Sequence, residues 1–379
     1  MFEKLKSFCD SLVEMGLPGL DLVLYKDGEC VLRYMKGCND LENKIPMNGK
    51  ERYNIYSCSK PITCTAALKL YEKGLYSLDD KLSDYMPEFS EMTVRTEIGI
   101  VPAKNPILVK HLFEMTAGFS YDLNSPELKK CREETEGRCQ TREAMKYLAR
   151  EPLCLEPGDR WNYSLCHDVL AAFVEVVSGE KFENYVKKNI FDVVGMNDST
   201  FLLPEDELDT IAGQYRYADG KHINVGKRNT GYRIGTEYAS GGAGAVSTVD
   251  DYIKFLEGLR TYKLLKKETL DLMCTHRLSE HQNRTYTSST THGYGLGVRC
   301  PDGIQGHDDF GWGGAAGAYL AVGREHGISM YMGTHLHCSP VQGMRSMLYR
   351  IARAELVDES DFAEIQKRLK ELHNYSFTY

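Results

Sequence analysis

Two strand-forming regions at opposite ends of the chain restrict its fold more than any other feature. Leu20 to Tyr25 and Cys30 to Tyr34 are apolar, strand-like runs separated by Lys26-Asp27-Gly28, and Asp-Gly favours the tight two-residue turn of a β-hairpin. Strand patterns return only late, at Tyr294 to Arg299, Gly317 to Gly323 and Ile328 to Gly333, with Arg324 to Gly327 as the turn between the last two. The long stretch between is helical in its periodicity and punctuated by Pro87, Pro102, Pro106, Pro152 and Pro157. A sheet must therefore be assembled from both chain ends, with a mainly helical region inserted between them.

Helices are expected to close the two ends. Leu5, Phe8, Leu12 and Met15 recur at spacings of three and four, which puts them on one face of an amphipathic helix. Val341 to Leu356 reads as a helix, and after it Phe362, Ile365, Leu369 and Leu372 share one face opposite charged residues. Such a stripe could bind a partner, but docking on its own domain is the ordinary use and is expected here.

Charge and cysteine content narrow the setting. Lys and Arg number 46 against 54 Asp and Glu, a formal net charge of −8 that repels nucleic acid and anionic membranes. The chain holds no apolar run of about 18 residues, and Glu3, Lys4, Lys6 and Asp10 interrupt its start before a secretory core could form. A cytoplasmic protein is expected. Its 12 cysteines include no C-x-x-C pair, so neither a zinc site nor a redox motif is indicated, and free, largely buried thiols are expected. No metal or other cofactor is expected.

Ser57-Cys58-Ser59-Lys60 has the form S-x-x-K, which on a helix places hydroxyl and amine one turn apart on the same face. Ser178 to Lys181 has the same form. There, however, Ser178 ends the apolar run Val169 to Val177 and Gly179 is a stop signal, so that copy reads as a turn. Ser57 instead follows the strand-like Tyr53 to Tyr56 and precedes a helix carrying Ile62, Ala66, Ala67 and Leu70, with Pro61 tolerable in its first turn. Helix amides there favour a developing oxyanion; the plain alternative is an N-cap serine.

The stretch Ile55 to Phe89 resembles the nucleophile region of class C beta-lactamases and related esterases, within the serine beta-lactamase-like superfamily that also includes family VIII esterases and penicillin-binding-protein-like transpeptidases. Val109 to Gly118, Pro157 to Asp168, Gly179 to Phe201, Glu237 to Asp251 and Phe310 to Gly317 resemble further segments of that superfamily, in its order. The resemblance implies an α/β (α+β) fold: a mostly antiparallel sheet flanked by terminal helices, with an all-helical region beside it. Residues 1–62 and 240–379 would form the sheet domain and 63–239 the helical one, with the active site in the cleft between. It makes Ser57 the nucleophile, Lys60 its lysine and Tyr163 the tyrosine that acts as general base. A free phenol titrates at about 10, so a tyrosine in that role needs cationic neighbours such as Lys60. Trp312-Gly313-Gly314 stands where beta-lactamases have K-T-G and resembles the W-x-G of the esterase branch. The amide of Ala315 would then join that of Ser57 as the oxyanion hole.

Two departures bear on substrate. Leu165 replaces the asparagine of the beta-lactamase Y-x-N loop, and Trp312 replaces the lysine that attracts the antibiotic's carboxylate. Both remove polar recognition groups, so Leu165, Trp312, Gly313 and Gly314 are expected to line a pocket with weak or no beta-lactamase activity. Ser240 to Gly244 lacks the Lys-Ser or Lys-Thr of a phosphate loop and reads as a chain turn, followed by a capping box at Thr248 and Asp251. His335 and His337 are expected to be structural, and His307, Asp308 and Asp309 to form a solvated loop. Arg345 is a candidate partner for a substrate carboxylate. The expected activity is hydrolysis of a small-molecule ester or amide through a Ser57 acyl-enzyme. The alternatives are a beta-lactamase, a D-amino-acid peptidase or an acyltransferase on the same site, or a non-catalytic acyl sensor. Oligomeric state is not legible.

Overall fold

The computed structural model describes residues 1–376 apart from 230, 289 and 305. Its main sheet has eight strands, in the order Gly293–Tyr294, Arg299–Cys300, Phe310–Gly313, Tyr319–Gly323, Ile328–Thr334, Gly19–Lys26, Glu29–Asp40 and Ile45–Pro46. Every neighbouring pair is antiparallel. Leu20 pairs with Thr334 and Lys26 with Ile328, so the first strand of the chain lies against its last long one. The hairpin forms at Asp27 and Gly28, whose φ angles of 54° and 90° suit a two-residue turn with two left-handed residues.

Alternation along these strands separates two cores. Leu20, Leu22 and Leu24 face one side with Ile328, Met330 and Met332, while Val23 and Tyr331 face the other. The first side is covered by the helices Glu3–Glu14, Met347–Leu356 and Phe362–Ser376. Leu5, Phe8 and Leu12 are buried there, as are Met347, Ile351 and Ile365, with Phe362 and Leu369 packed at the margin. The C-terminal stripe thus docks on its own body; the Leu372 side chain lies outside the described residues. The second side carries the helices of the middle of the chain, among them Ser59–Glu72 and Cys166–Ser178, which pack on each other.

Four expectations are corrected. Tyr294 to Arg299 is not one strand: Gly293–Tyr294 and Arg299–Cys300 pair across a tight bend at Gly297, φ 85°, where any added Cβ would collide with the Cys64 sulfur. The helix read from Val341 begins at Met347, after a short 3-10 turn at Gln342–Met344. The inserted region, expected from the resemblance to be all-helical, also holds two hairpins, Thr93–Thr96 with Gly99–Pro102 and Gln214–Ala218 with Lys221–Gly226. Cys131 and Cys139 are joined as a disulfide, because the helix Pro126–Glu134 turns back at Glu136 and Gly137 and returns one cysteine to the other.

Candidate active site

Ser57 is positioned by a strained turn. The strand Tyr53–Asn54 pairs with Val246–Ser247, and the chain then bends through Tyr56, a non-glycine residue at φ 48°, into the 3-10 turn Tyr56–Cys58. Such a conformation persists only where packing enforces it. Here the Tyr56 ring lies edge-on to His337 at 4.7 Å and to Tyr232 at 5.4 Å, and its hydroxyl bonds Gln214. His337 therefore has a structural use. The helix Ser59–Glu72 follows at once and raises Lys60 one turn after Ser57.

The hydroxyls of Tyr163 and Ser57 share a hydrogen bond of 2.5 Å. Lys60 Nζ donates to Ser57 Oγ at 3.3 Å and to the Gly242 carbonyl at 2.7 Å, and it stands 4.5 Å from the Tyr163 ring centroid. Tyr163 is thus brought to Ser57 and Lys60 from a segment 106 residues further along the chain than Ser57. Lys60 is fully buried, whereas Ser57 opens to a cleft. Tyr163 is clamped by Tyr121, stacked at 5.4 Å, and by Trp312, stacked at 6.1 Å. Its loop is pinned where the Asn162 amide donates to Met115 O at 2.8 Å and the Asn162 side chain to Phe119 O at 2.7 Å.

The glycines of the third motif allow close approach. A Cβ on Gly314 would lie 2.6 Å from the Ile55 carbonyl, and one on Gly313 would lie 2.7 Å from the Arg345 guanidinium. Only bare backbone lets Phe310–Gly313 run this near the Ser57 turn. Trp312, Gly313, Gly314 and Ala315 all line the cleft with Ser57. The glycine-rich turn works in the same way: a Cβ on Gly241 would meet His167 O at 2.3 Å. Thr248 caps the following helix, accepting from the Asp251 amide at 3.1 Å. The second S-x-x-K is a turn, with Ser178 at a helix end and Gly179 at φ 73°.

The cleft encloses about 610 Å³, within the usual range for small-molecule sites. Tyr121, Trp161, Tyr163, Tyr232, Trp312 and Tyr319 give it aromatic walls. Leu165, expected in this lining, is instead buried in the core, because it sits at the N-cap of Cys166–Ser178 with its side chain turned inward. Arg345 does line the cleft. It donates to Gly314 O at 2.9 Å and Ala318 O at 3.3 Å, and burial pushes its guanidinium below the usual range.

His307, Asp308 and Asp309 are not a solvated loop. His307 is half-buried on the cleft wall, and burial pushes it down to about 4. Asp309 is buried and paired with Arg299, with His292 at 3.2 Å. Burial alone would raise its carboxyl, yet Arg299 and His292 hold it well below the usual carboxylate range. Arg299 also donates to Tyr319 Oη at 2.8 Å and Trp312 O at 3.3 Å, bracing the Trp312 strand. His335 is packed between Tyr53 and Tyr215. Asp308, Glu325 and His326 come close enough to share a cation, but none lines the cleft.

Sequence reasoning missed Tyr121, Asp168, His292 and Arg299. Asp168 left a signal, a lone carboxylate inside the apolar run Cys166–Val174; Tyr121 left none.

A family model described as Beta-lactamase matches residues 5–345. Esterase EstB of Burkholderia gladioli is 27% identical over 300 residues, covering 69% of this chain and 71% of that protein. Monacolin J acid methylbutanoyltransferase of Aspergillus terreus is 29% identical over 278 residues, covering 68% and 65%. The chain also spans 65% of the length of Protein Rv1367c of Mycobacterium tuberculosis, at 26% identity over 260 residues. The solved structure of EstCE1, a hydrolase with promiscuous acyltransferase activity, superposes with a TM-score of 0.76 at 24% identity, covering 92% of this chain and 97% of that one. At that identity it shows the shared fold. No helix among the described residues is long and apolar enough to cross a membrane.

Proposed function

Because the chain belongs to the beta-lactamase family, we propose that it is a serine acyl hydrolase acting on small esters through a Ser57 acyl-enzyme. The observation that carries this is the meeting of three side chains: Tyr163 Oη 2.5 Å from Ser57 Oγ, with Lys60 Nζ 3.3 Å from the same oxygen. Tyr163, as phenolate beside the Lys60 ammonium, takes the Ser57 proton while Oγ bonds to the ester carbonyl carbon. The amides of Ser57 and Ala315 receive the oxyanion. Collapse expels the alcohol, which takes back the proton from Tyr163, and water then repeats the sequence to release the acid and free Ser57. Esters are preferred over amides because an alkoxide leaves with less help from a proton than an amine does.

The aromatic walls suit an apolar or flat acyl or alcohol group. Arg345, held by two carbonyls and with no carboxylate partner among the described residues, adds a place for an anionic substituent. Transfer of the acyl group to an alcohol instead of water is the second reading, favoured by the names of the fungal relatives and by a cleft roomy enough for two organic groups. The ten unpaired cysteines support a cytoplasmic setting, against which the Cys131–Cys139 bond counts; fractionation of cells decides.

Hydrolysis of p-nitrophenyl acetate and butyrate, with nitrocefin in parallel, by native protein and Ser57→Ala tests the proposal. Ester turnover lost in the variant, with nitrocefin slow, supports it. Rapid nitrocefin cleavage points to a beta-lactamase, and equal rates for both proteins exclude Ser57 as nucleophile.

A further inference from the structure

Asp168 is a carboxylate in the first turn of the apolar helix Cys166–Ser178, where burial is costly unless another charge or several donors answer it. It is 1% exposed. One oxygen, Oδ1, accepts from Tyr238 Oη at 2.8 Å and from Ser240 Oγ at 2.6 Å. The other, Oδ2, faces the backbone of Gly242, whose amide also favours the ionised carboxylate. A Cβ on Gly242 would lie 2.5 Å from this Oδ2 and 3.4 Å from Lys60 Nζ. Gly242 also gives its carbonyl to Lys60 at 2.7 Å. One glycine is therefore all that separates the buried carboxylate from the buried ammonium.

We propose that Asp168 is a positioning residue: across Gly242 it supplies the counter-charge that keeps Lys60 an ammonium, and so sets the pH range in which Ser57, Lys60 and Tyr163 work. This rests on the reading of Ser57 as nucleophile. A buried ammonium without an opposing charge loses its proton readily, and a neutral Lys60 no longer favours a phenolate on Tyr163.

The other titratable neighbours do not compete for the role. From the Lys60 helix, Cys58 and Cys64 are pushed up by burial, as Cys166 is on Asp168's own helix. His167 is pushed down to about 3, by burial first and the Lys60 charge second. Burial likewise raises Tyr121 and Tyr238. All six are neutral near pH 7, as are Tyr232 and Tyr294, which burial also raises; Arg345 faces Tyr163 from the other side of the cleft, and the carboxylate that answers Lys60 is Asp168. Burial pushes the Asp168 carboxyl up, opposed by Ser240, Lys60 and Tyr238.

The test is the pH dependence of kcat/KM on p-nitrophenyl butyrate, and of the rate of covalent labelling by a fluorophosphonate probe, for native protein, Asp168→Asn and Ser240→Ala. Asparagine keeps the shape and removes the charge. The Lys60 ammonium then loses an attraction and the Tyr163 phenolate a repulsion, so both limbs of the profile move to lower pH, by roughly one unit or more. Ser240→Ala withdraws one donor from the carboxylate and moves the limbs the same way by less. A merely structural role lowers the height of the profile and leaves its limbs in place; limbs unmoved in both variants overturn the proposal. Should Asp168→Asn not fold, Ser240→Ala decides by the same criterion. Activity and labelling that survive Ser57→Ala sink the nucleophile reading itself, whereas their loss there with an unmoved profile sinks the Asp168 role alone.

Discussion

Tyr163 bears the heaviest chemical demand at the site, because a phenol takes up a proton only after losing its own. The contact with Ser57 Oγ and the ammonium 4.5 Å from its ring are the means by which this side chain can do so. Tyr163→Phe keeps the stacking on Tyr121 and Trp312 and removes the oxygen. We expect kcat on p-nitrophenyl butyrate to fall by about 10²- to 10⁴-fold with little change in KM and an unaltered melting temperature. An unaffected kcat would pass the base role to Lys60. Arg345 invites a different comparison. Arg345→Gln should raise KM for an ester bearing a carboxylate, such as a p-nitrophenyl hemiglutarate, by about tenfold or more while changing KM for the neutral butyrate less. Equal effects on both esters would make Arg345 a brace for Gly314 and Ala318 only. At this scale Ser57 and Lys60 stood out by the spacing of S-x-x-K, whereas Tyr163 was pointed to only by the resemblance of its loop. Tyr121 and Arg299 were not legible, since a lone tyrosine in a loop and an arginine beside a turn look the same whether they face a cleft or solvent.

Among the elements, the strand Phe310–Gly313 and its glycine end control the distance between the third motif and Ser57. Gly314→Ala would force Ile55 O and the new methyl, 2.6 Å apart as built, to separate. The strand pairs with Tyr319–Gly323 through Gly313 and Tyr319, so the body of the sheet should hold and the displacement should fall on the Ala315 amide. We expect a loss of kcat of about 10²-fold or more with the fold intact by circular dichroism; wild-type kcat would show that the close approach is dispensable. Both hairpins at Asp27-Gly28 and Arg324 to Gly327 were legible, because left-handed turn residues announce themselves. Tyr294 to Arg299 misled for a physical reason: its apolar alternation is real, but Gly295 and Gly297 fold it against Met273 and Cys64 instead of extending it. The Cys131–Cys139 bond was hidden because pairing depends on how a helix end turns back, which spacing alone does not encode.

At the scale of the whole molecule, acid should weaken the fold before it removes the surface ion pairs. Burial lowers His111, His307 and His335 to about 4 and His167 to about 3, so all four are neutral in the folded chain. An unfolded histidine titrates at about 6.5. The stability owed to these neutral rings is complete above that pH and is lost as pH falls from about 6.5 towards 4, where the unfolded chain binds protons that the folded one does not. The urea midpoint should decline over that window. His335→Phe, at a buried ring, should flatten the decline; an identical slope would show that His335 is not among the groups responsible. The joining of both chain ends in one sheet was readable from the two separated strand regions, and the resemblance of motifs supplied the cleft. What the cleft admits was not readable, since its walls are gathered from loops far apart in sequence. The central claim is that Ser57 carries an acyl group. Native protein mixed with p-nitrophenyl butyrate, quenched in acid within the first turnover and mapped by mass spectrometry should show a butyryl adduct on the peptide containing Ser57, absent from Ser57→Ala. An adduct on another residue, or product released with no adduct at any quench time, would contradict the account.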